Sequence, residues 1–282
     1  MEKTNNRPDW GKLFQAALHE PGRLGSHYRL FHRYSLGNQL LAMEQMAERG
    51  IPAGPIASFT GWKKAGRKVK KGEKALGFWM PIIKKEARQN GDGTEDEVTK
   101  VFFLMKNNWF ALSQTEPIDP ENPGTVPTPE TPEWDKAQAL AKLGITEVAF
   151  EHTDGNCQGF ARPRMGEVAV NPLAAMPWKT LFHEMAHCLL HGETAEAQFV
   201  DGGAINRSIQ EAEAEAVAML CCATLGLPGV EEARGYIQDW LESSSDRETF
   251  IKKSASRVFS AADKILKAGS AKTEASQEGE GE

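Results

Sequence analysis

The sequence predicts an α+β protein built from two domains. Its 282 residues exceed the roughly 100–200 residues of one typical domain. Six prolines lie within residues 117–132, and proline disfavours both helix and sheet, which predicts a semi-rigid linker. Residues 1–114 hold 19 basic and 11 acidic side chains, whereas residues 115–282 hold 14 and 28. We therefore expect a first domain at 1–116, a proline-rich linker at 117–132, a second domain at 133–268 and a disordered acidic tail at 269–282.

The composition excludes several classes of protein. The chain is 40% hydrophobic and 26% charged, as is usual for soluble globular proteins. No apolar run approaches the ~18 residues of a membrane helix, and the polar amino terminus has no apolar core of a secretion signal. Four irregularly spaced cysteines fit neither a disulfide scaffold nor a zinc knuckle. We expect a cytoplasmic protein without a membrane partner.

The first half predicts two helices followed by a β-hairpin. The helices are expected at residues 10–18 and 35–49, where apolar side chains recur at helical spacing. Residues 75–83 and 98–105 are rich in β-branched and aromatic side chains. They flank the turn-forming residues Asn-Gly-Asp-Gly at 90–93, which is typical of a long hairpin.

The second half predicts helices around a few short strands. Glycine or proline follows most of the periodic segments and sets their ends. The strands are expected at 147–151, 159–163 and 167–171, and the helices at 134–143, 178–190, 209–225, 230–241 and 247–267.

The helix at 178–190 carries an H-E-x-x-H motif formed by His183, Glu184 and His187. Residues four apart share one helix face, so both imidazoles can reach one zinc ion at about 2.0–2.1 Å. Glu184 lies on an adjacent line of the helix, where it can act as general base toward a water molecule. A chance pattern is the alternative, but the rest of this helix is apolar, and polar groups there cost free energy unless something satisfies them.

A catalytic zinc site usually takes three protein ligands, and the third is expected on the helix at 209–225. Glu211 and Glu215 share one face of it, whereas Glu213 points about 200° away from Glu211. We favour Glu211 as the ligand and Glu215 as the residue that holds a ligand histidine, with the reverse assignment open. His191 drifts about 40° off the row of histidines, which favours a capping or partner-binding role. The expected cofactor is Zn²⁺ or another divalent metal.

A basic segment at residues 61–88 carries ten lysines and arginines, interleaved with aromatic residues. Positive charge that attracts phosphates and rings that stack on unpaired bases are what a single-stranded nucleic-acid site requires. A solvated lysine-rich surface with aromatic residues in the core is the alternative. The candidate nucleic-acid-binding residues are Trp62, Lys63, Lys64, Arg67, Lys68, Lys70, Lys71 and Lys74.

Several stretches, in this order, resemble the plasmid-encoded antirestriction proteins of the ArdC type. In the first half they read YSLGN at 34–38, FTGWKKAGRKVKKGEK at 59–74 and LSQTE at 112–116. In the second half they read DGN at 154–156, GF at 159–160, VNP at 170–172 and KTLFHEMAH at 179–187, with Glu211 and Glu215 also at matching positions.

The resemblance implies an N-terminal single-stranded DNA-binding domain and a C-terminal zincin-like metallopeptidase domain related to the SprT group. It also implies an antirestriction protein that travels with conjugating plasmid DNA and protects it. The first matching stretch adds Tyr34 and Asn38 to the candidate DNA-binding residues. Two alternatives stay open: a regulatory metallopeptidase without a DNA role, and a DNA-binding protein whose metal is purely structural. The sequence names no protein substrate.

Overall fold

The computed structural model describes residues 8–19, 34–89, 95–124, 133–151, 157–192 and 207–270. Contacts divide the chain into two compact units. The first comprises Met1–Asp9 and Leu41–Thr128, and the second comprises Trp10–Leu40 and Pro129–Glu282. No helix in these ranges has the length and apolar character needed to span a bilayer.

The first part of the chain follows the predicted order of helices and a hairpin. Its elements are α1 (Trp10–His19), α2 (Leu36–Glu48), β1 (Ile56–Ser58), α3 (Phe59–Lys64), β2 (Arg67–Val69), β3 (Leu76–Gln89), β4 (Glu95–Ala111), a 3₁₀ turn (Leu112–Gln114) and β5 (Thr115–Pro117). The division between the two units falls inside α2, between Leu40 and Leu41.

Strands β3 and β4 form a long antiparallel hairpin within a sheet of order β1-β4-β3. The pairing runs from Leu76 opposite Trp109 to Gln89 opposite Glu95, so the strands are longer than predicted. Strand β1 pairs only with the last residues of β4. The base of the hairpin is therefore the packed part, with Phe78 stacked on Trp109 at a ring separation of 4.4 Å. The predicted turn at 90–93 lies outside the described residues.

Part of the segment expected to be linker folds with the first unit. Pro117 ends β5 and pairs with Arg67 of β2, and the Ile118 amide donates to the Gly66 carbonyl at 2.9 Å. Arg67 also donates to the Pro123 carbonyl at 2.7 Å. These contacts hold this part of the segment beside β2. They do not depend on a proline N–H, since Ile118 supplies the amide and Pro123 supplies only its carbonyl. The other linker residues, 125–132, lie outside the described part.

The second part of the chain surrounds a small sheet with helices. Its elements are α4 (Lys136–Leu143), β6 (Thr146–Glu147), β7 (Gly159–Arg162), a 3₁₀ turn (Pro163–Met165), β8 (Glu167–Val170), α5 (Pro177–Leu190), α6 (Arg207–Leu225), α7 (Val230–Ser243), α8 (Arg247–Thr249), a π-helical segment (Phe250–Ser254) and α9 (Ala255–Gly269). The sheet has the order β6-β8-β7, with β7 antiparallel to β8. The strand expected at 147–151 is reduced to Thr146–Glu147.

Helix α1 packs within the second unit, although we expected it in a domain of residues 1–116. Phe14 is buried, and its ring lies 5.5 Å from those of Phe250 and Phe259. Trp10 meets Phe259 edge-on at 6.2 Å. The apolar face of α1 is thus covered by residues some 240 positions away, a contact that local patterns do not encode. Of the predicted tail, the structure describes residues 269 and 270.

Candidate metal centre

Helix α5 places the two motif histidines one turn apart. Pro177 occupies its first turn, where the missing amide hydrogen costs nothing. His183 and His187 project from the same face, and their Nε2 atoms lie 3.1 Å apart. Two imidazole nitrogens this close suit a shared metal ion, to which both would bind in their deprotonated form.

Helix α6 packs against α5 and supplies the third group. The Glu211 Oε2 atom lies 3.3 Å from Nε2 of His183 and 3.5 Å from Nε2 of His187. These three side chains form a group that could hold a metal ion, the one such group in the ranges that the structure describes. Hydrogen bonds from both histidines hold the pKa of Glu211 well below its usual range.

The three ligand atoms have the spacing of a tetrahedral zinc site. Bonds of about 2.0–2.1 Å at tetrahedral angles place neighbouring ligand atoms about 3.3 Å apart. The separations here are 3.1, 3.3 and 3.5 Å. Two imidazoles and one carboxylate are also the donor set of a common type of catalytic zinc site. The residues present therefore fit a divalent ion.

Glu215 binds the far side of His183 rather than joining this group. Its Oε2 lies 2.9 Å from Nδ1 of His183, and its Oε1 pairs with Nζ of Lys179 at 2.5 Å. Burial lowers the pKa of His183, but hydrogen bonds to Glu211 and Glu215 outweigh burial and raise it to about 9. Lys179 was missed in the sequence, although its position four residues before His183 on the same helix could have indicated it.

Glu184 lies against strand β7. Its carboxylate would be 3.1 Å from a Cβ atom at Gly159, and Thr180 would be closer still, so the strand approaches α5 only because residue 159 has no side chain. Burial raises the pKa of Glu184, and the charges of His183 and His187 partly oppose this. The carboxylate is buried and lines a cavity shared with the ligand cluster.

That cavity has a volume of about 1040 Å³ and lies between β7 and helices α5 and α6. Its lining includes Gly159, Phe160 and Ala161 of β7 beside the three candidate ligands. Tyr236 on α7 is exposed. Burial raises the pKa of its phenol, and the negative charges of Glu211 and Glu215 raise it further.

The ranking of the two glutamates can be tested by metal titration. We expect Glu211→Ala to lose zinc nearly as completely as a histidine variant, because a ligand atom is removed. Glu215→Ala should weaken zinc binding by about 10–100-fold, as is usual when a partner of a ligand histidine is lost. Competition with a chromogenic zinc chelator measures both, and Glu242→Gln, an exposed change on α7, is the control. The reverse ranking would mean that the two roles are exchanged.

In the first unit, two candidate DNA-binding residues prove to be structural. Trp62 is 0% exposed, and its indole Nε1 donates to the Phe110 carbonyl at 2.8 Å. A ring without exposed surface cannot stack on a base, so that prediction is wrong. Arg67 is buried and donates to Thr115 Oγ1 at 2.9 Å as well as to the Pro123 carbonyl. Its guanidinium is therefore committed to holding β2, β5 and the following turn together.

Of the two residues added by the resemblance, Asn38 is buried. It lies in α2, within the stretch Trp10–Leu40 that belongs to the second unit. Its side chain is thus not presented to a nucleic acid, which corrects its assignment. Tyr34 is half-exposed.

The six candidate DNA-binding lysines of the basic segment are exposed, as a DNA-binding surface requires. Lys68 pairs with Glu116 at 3.4 Å, and Nζ of Lys70 donates to the Ser113 carbonyl at 2.8 Å. The exposed side chains of the set are Lys63, Lys64, Lys68, Lys70, Lys71 and Lys74.

The second unit thus presents a candidate metal centre of the H-E-x-x-H type. Comparison with known proteins bears on the first half of the chain: residues 7–110 match the family model described as the N-terminal domain of anti-restriction factor ArdC. This part of the chain is therefore similar to the ArdC N-terminal domain, as the resemblance predicted for the first half.

Individual proteins are similar over longer stretches. An uncharacterized protein of Bacillus anthracis, pXO2-81, is 26% identical over an alignment 264 residues long, and the match covers 77% of this chain. The match spans 42% of the length of that relative. The crystal structure of metal-free antirestriction ArdC protein from the R388 plasmid has 19% identity, a TM-score of 0.45, and coverage of 92% of this chain and 97% of that one. Its Mn(II)-bound structure has 18% identity, a TM-score of 0.43, and coverage of 93% and 98%.

Proposed function

We propose that this chain is an antirestriction protein of the ArdC type. Its second unit would hold a zinc-dependent metallopeptidase-like site, and its first unit would bind single-stranded DNA. The observation that supports the metal site most strongly is the triangle of ligand atoms from His183, His187 and Glu211, with sides of 3.1–3.5 Å. Zinc is the metal proposed, because two imidazoles and a carboxylate are a common zinc donor set.

The neighbouring residues have the groups that peptide hydrolysis needs. A bound divalent ion would supply a Lewis acid that polarises the substrate carbonyl and makes a water more acidic. Glu184 takes one proton from that water while the water oxygen attacks the carbonyl carbon. The same carboxyl then gives the proton to the amine that leaves when the C–N bond breaks. The raised pKa of Glu184 suits a group that must both accept and return a proton.

Strand β7 offers a way to hold an extended peptide beside Glu184. It pairs with β8 along one edge, and among the described residues no strand pairs with its other edge. Backbone groups at a free edge can bond an added strand. Gly159, Phe160 and Ala161 of this strand line the cavity that also contains the ligand cluster.

Glu184→Gln tests whether the site does chemistry. The change keeps the shape of the side chain and removes its basicity, so we expect zinc binding to be retained and hydrolysis to fall by at least about 100-fold. A peptide library digested by the full-length protein and analysed by mass spectrometry provides the measurement. Glu242→Gln is the matched control on an exposed helix surface.

The outcomes separate the alternatives. Cleavage that survives in Glu184→Gln would rule out this residue as the general base. A wild-type protein that binds zinc, binds DNA and cleaves nothing in the library would support the alternative of a purely structural metal. Cleavage by a protein without salt-dependent DNA binding would support a regulatory metallopeptidase.

The proposed DNA surface rests on the exposed lysines and on rings other than Trp62. Phe103 is 50% exposed and stacks beside Trp79, with an interplanar angle of 11° and a ring separation of 6.4 Å. Trp79 lies opposite Met105, and Phe103 lies opposite Pro81. Because residues two apart on a strand point to the same face, Trp79 and Phe103 share one face of the hairpin. Two nearly parallel rings on one face are a surface on which unpaired bases can stack.

Phe103→Ala in the full-length protein tests this surface. We expect it to weaken single-stranded DNA binding by about 1–3 kcal/mol, the usual effect of losing one stacked base. Phe102→Ala is a closely matched control, since Phe102 is 46% exposed and lies on the opposite face of the same strand. Fluorescence anisotropy at several salt concentrations measures both. Equal losses in the two variants, or none in either, would contradict a stacking role for Phe103.

A further inference from the structure

His187 has its own supporting contacts, which differ from those of His183. Three buried or nearly buried side chains from three helices form a connected polar cluster: His191 after α5, Glu213 of α6 and Arg257 of α9. Glu213 is 0% exposed. A carboxylate removed from water is costly unless it is paired, so its contacts are informative.

The contacts run in one line from the ligand histidine to the arginine. Nδ1 of His187 lies 3.0 Å from Nδ1 of His191. Nε2 of His191 lies 2.9 Å from Oε2 of Glu213. The other carboxylate oxygen of Glu213 lies 3.2 Å from Nε of Arg257, and Nη2 of Arg257 donates to the Leu190 carbonyl at 3.1 Å.

Donor and acceptor rules give this line a direction. An ionised carboxylate only accepts hydrogen bonds, so Nε2 of His191 carries the hydrogen. A neutral imidazole has one N–H, which makes Nδ1 of His191 an acceptor and Nδ1 of His187 the donor. The Nε2 atom of His187 is then left with its lone pair, and this is the atom that faces His183 and Glu211.

We propose that His191 is a positioning residue that fixes the tautomer and ring orientation of His187 for metal binding, with Glu213 and Arg257 anchoring His191. The inference rests on the metal site proposed above. His183 is held by a carboxylate directly, through Glu215, whereas His187 is held by a carboxylate through an intervening imidazole. Partners of this kind set the basicity and direction of ligand histidines.

The test compares two replacements of His191 in the full-length protein. His191→Phe keeps a planar ring but removes both hydrogen bonds, and we expect zinc affinity to fall by about 10–100-fold. His191→Gln restores an acceptor and a donor on one planar group, and it should retain most of the affinity. The Co(II) absorption spectrum should change in the Phe variant and resemble the wild-type spectrum in the Gln variant. Thr224→Val, a buried change on α6, is the control and should leave both readouts unchanged.

Unfolding in EDTA separates positioning from packing. A Phe variant that unfolds at lower temperature without metal, yet binds zinc as tightly as the wild type, would overturn the proposal. If that variant does not fold, His191→Leu, a smaller apolar replacement, decides, since weaker zinc binding supports the proposal and unchanged binding overturns it. A wild-type protein that binds no zinc would instead overturn the proposed metal site itself.

Discussion

His183→Ala is expected to reduce bound metal to well below one ion per chain, as is His187→Ala. Each change removes one corner of a ligand triangle whose sides are 3.1–3.5 Å. Two remaining protein ligands are too few for a stable site in which three would hold the ion. Because metal binding also stabilises the folded state, the increase in melting temperature caused by added zinc should disappear in both variants.

Elemental analysis of the purified proteins measures the first effect, and thermal melts with and without EDTA measure the second. Cys188→Ala is the control on the same helix, because Cys188 follows His187 directly, and its thiol lies 3.6 Å from the Glu167 carbonyl. Burial raises the pKa of that thiol to about 11, and the thiol is not part of the candidate ligand group. Full metal occupancy in both histidine variants would exclude the proposed centre.

Trp62→Ala is expected to destabilise the first unit by about 3–5 kcal/mol, the usual effect of truncating a large buried aromatic residue. The ring is 0% exposed, and its N–H bonds the Phe110 carbonyl. The variant therefore leaves a cavity and a carbonyl without its donor. A loss of this size is a large share of the 5–15 kcal/mol that stabilises a typical domain.

Chemical denaturation followed by tryptophan fluorescence measures this effect, and DNA binding should fall only as the unit unfolds. Phe59→Ala is the matched control, since Phe59 lies on the same helix and is 52% exposed. Its effect on stability should be within about 1 kcal/mol. A stable Trp62→Ala protein with weakened DNA binding would restore the stacking role that the burial of this ring argues against.

The sequence predicted most elements because their signals are local. Segments rich in β-branched and aromatic residues on either side of a turn signal indicated the hairpin, and helical spacing indicated α5 and α6. The observed strand length differed from the predicted one where the sequence pattern was weak, as at β6. The position of α1 was not predictable from its own residues, because the rings that cover Phe14 belong to Phe250 and Phe259.

At the metal centre, the sequence by itself determined that His183 and His187 share one face and that Glu184 lies beside them, since these relations follow from helix geometry. It also reduced the candidates for the third ligand to two glutamates one turn apart, Glu211 and Glu215. The packing of α6 on α5 decided that Glu211 faces both Nε2 atoms while Glu215 faces Nδ1 of His183.

Only the tertiary structure decided which polar and aromatic side chains are buried. Trp62 among lysines reads as a surface residue, yet its ring is 0% exposed and its indole N–H donates to the Phe110 carbonyl. Glu213 reads as a residue pointing away from the site, yet Arg257, 44 positions later, pairs with it. Periodicity tells which residues share a face, but burial depends on the distant segment that packs on that face. Such long-range contacts leave no local pattern in the chain.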